Sequence, residues 1–129
     1  MKDTPYRVNV ESPVPVYVQL EQQLQYRIAS GAYKPGDHLP SVRELSSQAG
    51  VNANTVSKVY RDLLLMGLVN TRRGIGVTVT AEATKLCKER VRNMAKEGLR
   101  ESALACLSAG IPAAEIVKLV GKLAEGKGE

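Results

Sequence analysis

Residues 41–66 have the sequence SVRELSSQAGVNANTVSKVYRDLLLM, and this segment carries the clearest structural signals of the chain. Ser41 and Glu44 have the spacing of a capping box, in which the two residues satisfy each other's free backbone N–H groups at the start of a helix. The spacing predicts a helix over 42–49. Gly50 follows directly and is the usual residue type at the end of a helix, so the first helix is expected to stop there.

A second helix is predicted almost immediately afterwards. Asn52 is a good N-cap residue, and the apolar residues beyond it recur at the intervals of three and four that define a buried helical stripe, as far as about Met66. The members of this stripe are Val56, Val59, Tyr60 and Leu63. Two helices joined by only three residues, one of them glycine, are typical of a helix-turn-helix.

The segment after the second helix predicts a β-hairpin. Residues 68–71 and 77–80 are β-prone, and the five residues between them, RRGIG over 72–76, contain two glycines suited to a turn. A helix-turn-helix followed by a hairpin with a basic tip is a winged helix. An amphipathic helix over 16–30 precedes it, so the fold class is α+β, mainly α, with a winged helix-turn-helix in residues 1–80.

The second helix has an outer face suited to DNA. On a helical wheel its apolar stripe lies opposite Asn54, Lys58 and Arg61, with Ser57 at the side and Thr55 in the first turn. Short polar side chains at a helix N-terminus can enter the major groove, where Asn pairs with adenine and Ser or Thr donates or accepts. Read alone, the same residues also suit the capping of a surface helix.

Charge placement favours the DNA interpretation. The chain has 129 residues and a formal net charge of +5 at pH 7. Residues 38–80 contain five basic and two acidic side chains, a net charge of +3, and Arg72 and Arg73 lie at the tip of the predicted wing. Excess positive charge is therefore concentrated where a groove-reading helix and a wing would meet phosphates.

These motifs together resemble the GntR family of bacterial transcription regulators. The resemblance rests on IASGAYKPGDHLPSVREL over 28–45, VNANTV over 51–56, GLV over 67–69 and the wing RRGIG, all in order. The sequence around Lys58 and the short C-terminal segment are most similar to those of the YtrA subfamily. The resemblance implies DNA contacts from Arg43, Asn54, Thr55, Ser57 and Lys58, with Gly74 against the minor groove. The full set of predicted DNA-binding residues is Ser41, Arg43, Asn52, Asn54, Thr55, Ser57, Lys58, Arg61, Arg72, Arg73 and Gly74.

The C-terminal segment, residues 81–129, predicts two amphipathic helices divided by Gly110 and Pro112. Two such helices are too short to bury their apolar faces alone, so packing on a second copy of the chain is expected, with twofold symmetry that matches a palindromic operator. The alternative is that they fold back onto the winged helix. We therefore expect a homodimer through a C-terminal helical dimerisation region.

Several function classes are disfavoured. The two cysteines and the single histidine have no metal-ligand spacing, so no metal and no cofactor are expected. Cys87 and Cys106 are interpreted as small buried hydrophobes in a reducing compartment, with a disulfide as the alternative. No apolar run is long enough for a bilayer, so no membrane partner and a cytoplasmic location are expected.

The short distance between Asp37, His38 and Ser41 is that of turn and cap residues in one loop, so no enzymatic activity is predicted. The prediction is a DNA-binding repressor whose small-molecule effector, if it has one, is unknown. The rival interpretation is a winged-helix adaptor for proteins with only nonspecific affinity for nucleic acid, which would more often expose an apolar face on the second helix.

Overall fold

The structure, a computed structural model, describes residues 5–126 of the chain. Its elements follow in the order of a winged helix with two further helices. They are α1 (Val16–Ala29), α2 (Val42–Ala49), α3 (Ala53–Leu65), β1 (Val69–Arg72), β2 (Gly76–Val79), α4 (Ala83–Ser108) and α5 (Ala113–Gly126). The predicted fold class is confirmed, and each predicted helix and strand is present within about two residues of its expected bounds.

The two helices of the helix-turn-helix begin with side-chain caps. Ser41 Oγ accepts from the backbone N–H of Glu44 at 3.1 Å, and Glu44 Oε1 accepts from that of Ser41 at 2.8 Å, which completes the capping box of α2. Gly50 ends α2 with a left-handed backbone, φ 66°, which costs glycine little. At α3, Asn52 Oδ1 accepts from the N–H of Asn54 at 2.7 Å. Local chemistry thus fixes the ends of both helices.

The wing is a two-stranded antiparallel sheet. Val69 pairs with Val79 at its base and Arg72 with Gly76 at its tip, where Gly74 takes a positive φ of 81°. The loop over 36–39 adds backbone hydrogen bonds to β2, from Leu39 N–H to the Val77 carbonyl and from Val79 N–H to the Asp37 carbonyl, both 2.9 Å. The wing is therefore attached to the loop that leads into α2.

One aliphatic core holds the helices and the wing together. Helix α3 contributes its whole predicted stripe, and α1 supplies the largest group of fully buried leucine and isoleucine side chains. The first turns of α4 also enter this core. Its members are Leu20, Leu24, Ile28, Tyr33, Leu39, Leu45, Val56, Val59, Tyr60, Leu63, Leu68, Val69, Val79, Ala83 and Cys87.

The contacts divide the chain into two compact units inside α4. The first unit runs through Val91 and the second begins at Arg92. Ala83 and Cys87 are fully buried, which explains why the start of α4 belongs with the winged helix. The division into a DNA-binding domain of residues 1–80 and a dimerisation region of residues 81–129 remains a prediction, and its ends, 1–4 and 127–129, lie outside the described residues.

The second unit consists of the later part of α4 and all of α5. No residue of α5 is buried, and both helices expose large aliphatic side chains. Cys106 is half-buried rather than buried, so for this residue the prediction of a buried hydrophobe is wrong, because the small second unit has too little chain to enclose it. The exposed apolar residues are Leu99, Leu104, Leu107, Val117, Leu119, Val120 and Leu123.

Candidate nucleic-acid interface

The outer face of α3 is polar along its first half. Asn54, Lys58 and Arg61 are exposed, while Thr55 and Ser57 are half-buried at the edges of the face. The predicted orientation of this helix follows from its buried stripe, which turns these five side chains away from the core. Asn54 and Thr55 lie in the first turn of α3, at the end of the helix where backbone N–H groups have no helical partners.

The start of α2 is tied to α3 and to the wing. The hydroxyl of Tyr60 on α3 donates to the carbonyl of Pro40, the residue before the Ser41 cap. Through Leu39 the same loop is hydrogen-bonded to β2. Ser41 and Arg43 are exposed at this junction. The structure thus connects the start of α2, helix α3 and the wing through one loop.

Two of the predicted contact residues already act as caps. Ser41 Oγ and Asn52 Oδ1 each accept from a backbone N–H of the helix that they begin. The Ser41 hydroxyl proton and the Asn52 amide N–H groups remain available as donors to a phosphate oxygen. Each cap therefore uses one acceptor lone pair of its side chain and leaves the donor groups unused.

The tip of the wing carries the remaining predicted residues. Arg72, Arg73 and Gly74 are all exposed, and Ile75 beside them exposes about half of its side chain. None of the eleven predicted residues lies in the core. Their roles in binding remain predictions.

Lys58 is less free than its outward position on α3 indicated. Its ammonium lies 4.6 Å from the centroid of the Tyr17 ring on α1 and 3.7 Å from Asp62 Oδ2, one helical turn further along α3. The side chain is 46% exposed. The charge is therefore directed toward the junction of α1 and α3, within a cation–π contact and a weak ion pair.

Beneath Lys58 lies a buried carboxyl group. Glu21 on α1 is only 7% exposed, and its Oε2 atom has no hydrogen-bond partner among the described residues. Burial and, after it, the neighbouring Asp62 carboxyl raise the pKa of Glu21 to about 7, while Lys58 and Arg90 oppose this effect. The pKa of this carboxyl on α1 is therefore near neutral pH.

A third polar residue of α1 continues this arrangement. Gln25 is 2% exposed, and its Oε1 atom accepts from Arg90 Nε of α4 at 2.8 Å. Sequence reasoning missed Tyr17, Glu21, Asp62 and Arg90. The available signal was the spacing of Tyr17, Glu21 and Gln25 by four residues, which places them on one face of α1 beside its apolar stripe.

Metal clusters and membrane-spanning helices are absent from the part of the chain that the structure describes. Across residues 5–126, no three histidine, cysteine, aspartate or glutamate side chains come together in a cluster suited to a metal ion. No helix in that range combines the length and apolarity needed to cross a bilayer.

Comparison with known proteins agrees with this geometry. The family described as "Bacterial regulatory proteins, gntR family" matches residues 16–79. The HTH-type transcriptional repressor YtrA of Bacillus subtilis (strain 168) is 37% identical over 105 residues, which cover 81% of each chain. A GntR family transcriptional regulator from Listeria monocytogenes has a similar structure, with a TM-score of 0.69, 30% identity, and coverage of 87% of this chain and 97% of that one.

A solved complex with DNA is also similar. The structure of AraR(DBD) in complex with operator ORX1 matches with a TM-score of 0.55 and 28% identity. The match covers 60% of this chain and 99% of that chain.

Proposed function

Since the chain belongs to the gntR family of bacterial regulatory proteins, we propose that it is a homodimeric transcriptional repressor that binds a palindromic operator. The family resemblance seen in the sequence is confirmed. Its relatives are transcription regulators, which also confirms the prediction that the chain is not an enzyme. The family match establishes the family. Repression, dimerisation, a palindromic operator and the contact residues are the parts that we propose.

The observation that carries the proposal is the polar, basic outer face of α3 beside the capped start of α2. Asn54 and Arg61 are exposed on a helix whose other side is fully buried, and Arg43 is exposed on the preceding helix. Amide and guanidinium groups are the types that read adenine and guanine in the major groove. Arg72 and Arg73 at the tip of the wing would contact the flanking backbone or minor groove.

The similarity to the AraR domain supports the same docking. That domain was solved with its operator, and it matches 60% of this chain. We propose that α3 of this chain enters the major groove and that Gly74 lets the wing backbone approach the minor groove. Arg43, Asn54, Thr55, Ser57 and Lys58 would contact DNA in this arrangement.

The exposed aliphatic faces of the second unit support a dimer. Val117 exposes 71% of its surface and Leu119 exposes 58%, on a helix with no buried residue. Large contiguous apolar patches are uncommon on monomeric proteins. A second copy of the chain would cover them, and the twofold axis of that dimer would match the symmetry of a palindromic operator. A repressor of this kind would work in the cytoplasm, where the bacterial chromosome lies.

A winged-helix adaptor for proteins is the alternative. It would expose an apolar face along the reading helix, whereas the first half of α3 exposes Asn54 and Lys58. The exposed leucines of this helix, Leu64 and Leu65, lie at its other end. The position of the polar residues at the N-terminal end favours DNA.

Selection of bound duplexes from a random DNA pool, with excess competitor DNA at physiological salt, tests the proposal. Enrichment of an inverted repeat is expected, and sedimentation should show two copies of the chain on each duplex. Binding that shows no enriched sequence and disappears as salt rises would contradict specific recognition and favour the adaptor.

Single substitutions then assign the contacts. Asn54→Ala should weaken binding to the enriched sequence by about 1–3 kcal/mol and relax base preference at one position of each half-site. Lys88→Ala is the matched control, because Lys88 is exposed on α4, which carries no predicted contact residue. Equal effects of both substitutions would argue against α3 as the reading helix.

A further inference from the structure

Helix α1 presents a line of three polar residues to the charged side chains of two other helices. Tyr17, Glu21 and Gln25 are spaced by four residues, so they lie one above another on the helix. Tyr17 contacts the Lys58 ammonium and Gln25 accepts from Arg90, while Glu21 lies between them. This line links the recognition helix to the start of α4.

Glu21 is the central residue of this line, and it could hydrogen-bond to the Asp62 carboxyl only with a proton between them. Glu21 is 7% exposed, and the Asp62 carboxyl is near enough to contribute to its raised pKa. Two ionised carboxylates are both acceptors, so they can bond only when one of them is protonated. No donor in residues 5–126 satisfies the buried Oε2 atom of Glu21. A shared proton would let one carboxyl donate to the other and remove the repulsion between them.

We propose that Glu21 and Asp62 form a proton-sharing carboxyl pair that positions Lys58 on the recognition helix and makes operator affinity depend on pH near neutrality. The proposal rests on the proposed function, because it concerns binding to DNA. The groups that face Glu21 are Asp62 and Lys58 from α3 and Arg90 from α4. Glu21 and Asp62 are positioning residues, since they act on DNA through Lys58 and through the local field.

The sign of the effect follows from electrostatics. When Glu21 is ionised, an additional negative charge lies near the outer face of α3. When Glu21 is protonated, that charge is absent. Phosphates docked near α3 also disfavour a second carboxylate within about a Debye length, roughly 8 Å at physiological salt. Bound DNA therefore favours the protonated pair, and by linkage the affinity decreases as pH rises through about 7.

The test is the dissociation constant of the full chain for the enriched duplex, measured by fluorescence anisotropy at constant ionic strength from about pH 6 to about pH 8. For the natural sequence, the affinity should fall roughly threefold to tenfold across this range, the effect of a pKa that shifts by up to about one unit on binding. Glu21→Gln, which resembles the protonated form, should keep the high affinity and lose the pH dependence.

Two further variants make the result specific. Asp62→Asn should also remove the dependence of affinity on pH. This variant replaces Glu21→Gln in the test if Glu21→Gln does not fold. Histidine ordinarily titrates in this range and the sequence contains one, so His38→Gln is the control, which should keep the slope of the natural protein. A flat profile for the natural protein, an unchanged slope in Glu21→Gln, or a slope lost in His38→Gln would overturn the proposal.

A direct titration separates this proposal from the proposed function. Carboxyl carbon shifts in the free protein, measured by NMR with Glu21→Gln for assignment, should show one glutamate that titrates near neutral pH. If that titration is seen but the natural protein binds no DNA at any pH, the proposed function fails while the carboxyl pair stands. If DNA binds specifically but Glu21 titrates as an ordinary glutamate, the inference fails while the function stands.

Discussion

The ammonium of Lys58 lies 4.6 Å from the centroid of the Tyr17 ring, so a side chain of α3 is held against α1. Asp62, 3.7 Å away on the same helix, provides the only salt bridge formed by Lys58 within the described residues. Lys58 is thus oriented by two elements before any DNA arrives. Orientation of a flexible lysine reduces the entropy lost when it binds a phosphate or a base.

Replacement of Tyr17 tests this orientation. Tyr17→Leu removes the aromatic ring and should lower the free energy of unfolding by about 1 kcal/mol, through loss of the cation–π contact and some packing. It should also weaken DNA binding. Tyr17→Phe keeps the ring and should behave like the natural protein in both assays. Urea denaturation and anisotropy titrations measure the two effects, and a Phe variant as weak as the Leu variant would show that the hydroxyl, not the ring, matters.

The buried Glu21 predicts a pH dependence of stability. Its pKa is about 7 in the folded protein, above its ordinary value of 4.5, so the folded state binds more protons between these values. Its contribution to stability is complete below the unfolded pKa and is lost as pH rises through about 7. At about pH 8, Glu21→Gln should be more stable than the natural protein by about 2 kcal/mol, and near pH 5 the two should be similar.

Urea denaturation of both proteins across this pH range provides the measurement. The difference between the two free energies isolates the single carboxyl from all other titrating groups. A difference that does not change with pH would contradict a raised pKa for Glu21.

Asn52 allows stability and DNA binding to be separated. Asn52→Ala removes the acceptor for the Asn54 N–H and should cost about 1 kcal/mol of stability. Asn52→Asp keeps an acceptor and adds a negative charge at the helix N-terminus, so stability should be retained. The same charge repels phosphates, and DNA affinity should fall roughly fivefold to tenfold. Normal affinity in a stable Asn52→Asp variant would place the start of α3 away from the DNA backbone.

The exposed apolar face of α5 predicts a substitution that separates the dimer. Leu119→Glu places a charge among exposed aliphatic side chains and should yield monomers in sedimentation, with affinity for the full palindrome lower by roughly a hundredfold. Lys118→Glu puts the same side chain on the polar face of the same helix and should remain dimeric. A Leu119→Glu variant that still sediments as a dimer would place the interface elsewhere.

The secondary structure and the start of the recognition helix followed from local sequence. The capping box of Ser41 and Glu44, the left-handed Gly50 and the cap at Asn52 all depend on residues within a few positions of one another. Such interactions can be inferred from spacing alone. The register of the hairpin could be predicted almost as well, because a five-residue turn and two short β-prone runs leave little choice of pairing.

The surroundings of Lys58 could not be predicted from local sequence. Its partner Tyr17 and the carboxyl of Glu21 lie on α1, far from α3 in the chain. The helical wheel of α3 placed Lys58 outside but carried no information about what α1 presents beside it. The same limit applies to the boundary within α4, where burial of Ala83 and Cys87 depends on the winged helix they pack against.

The helices, the wing, the polar face of α3 and the family could thus be predicted from the sequence alone. Each depends on short-range patterns of caps, turns and periodic apolar residues. Packing between distant segments set the burial of Glu21, the direction of Lys58 toward Tyr17 and the start of α4 inside the core. The physical reason is that burial and charge coupling depend on which helix faces are brought together, and that is a property of packing between distant segments.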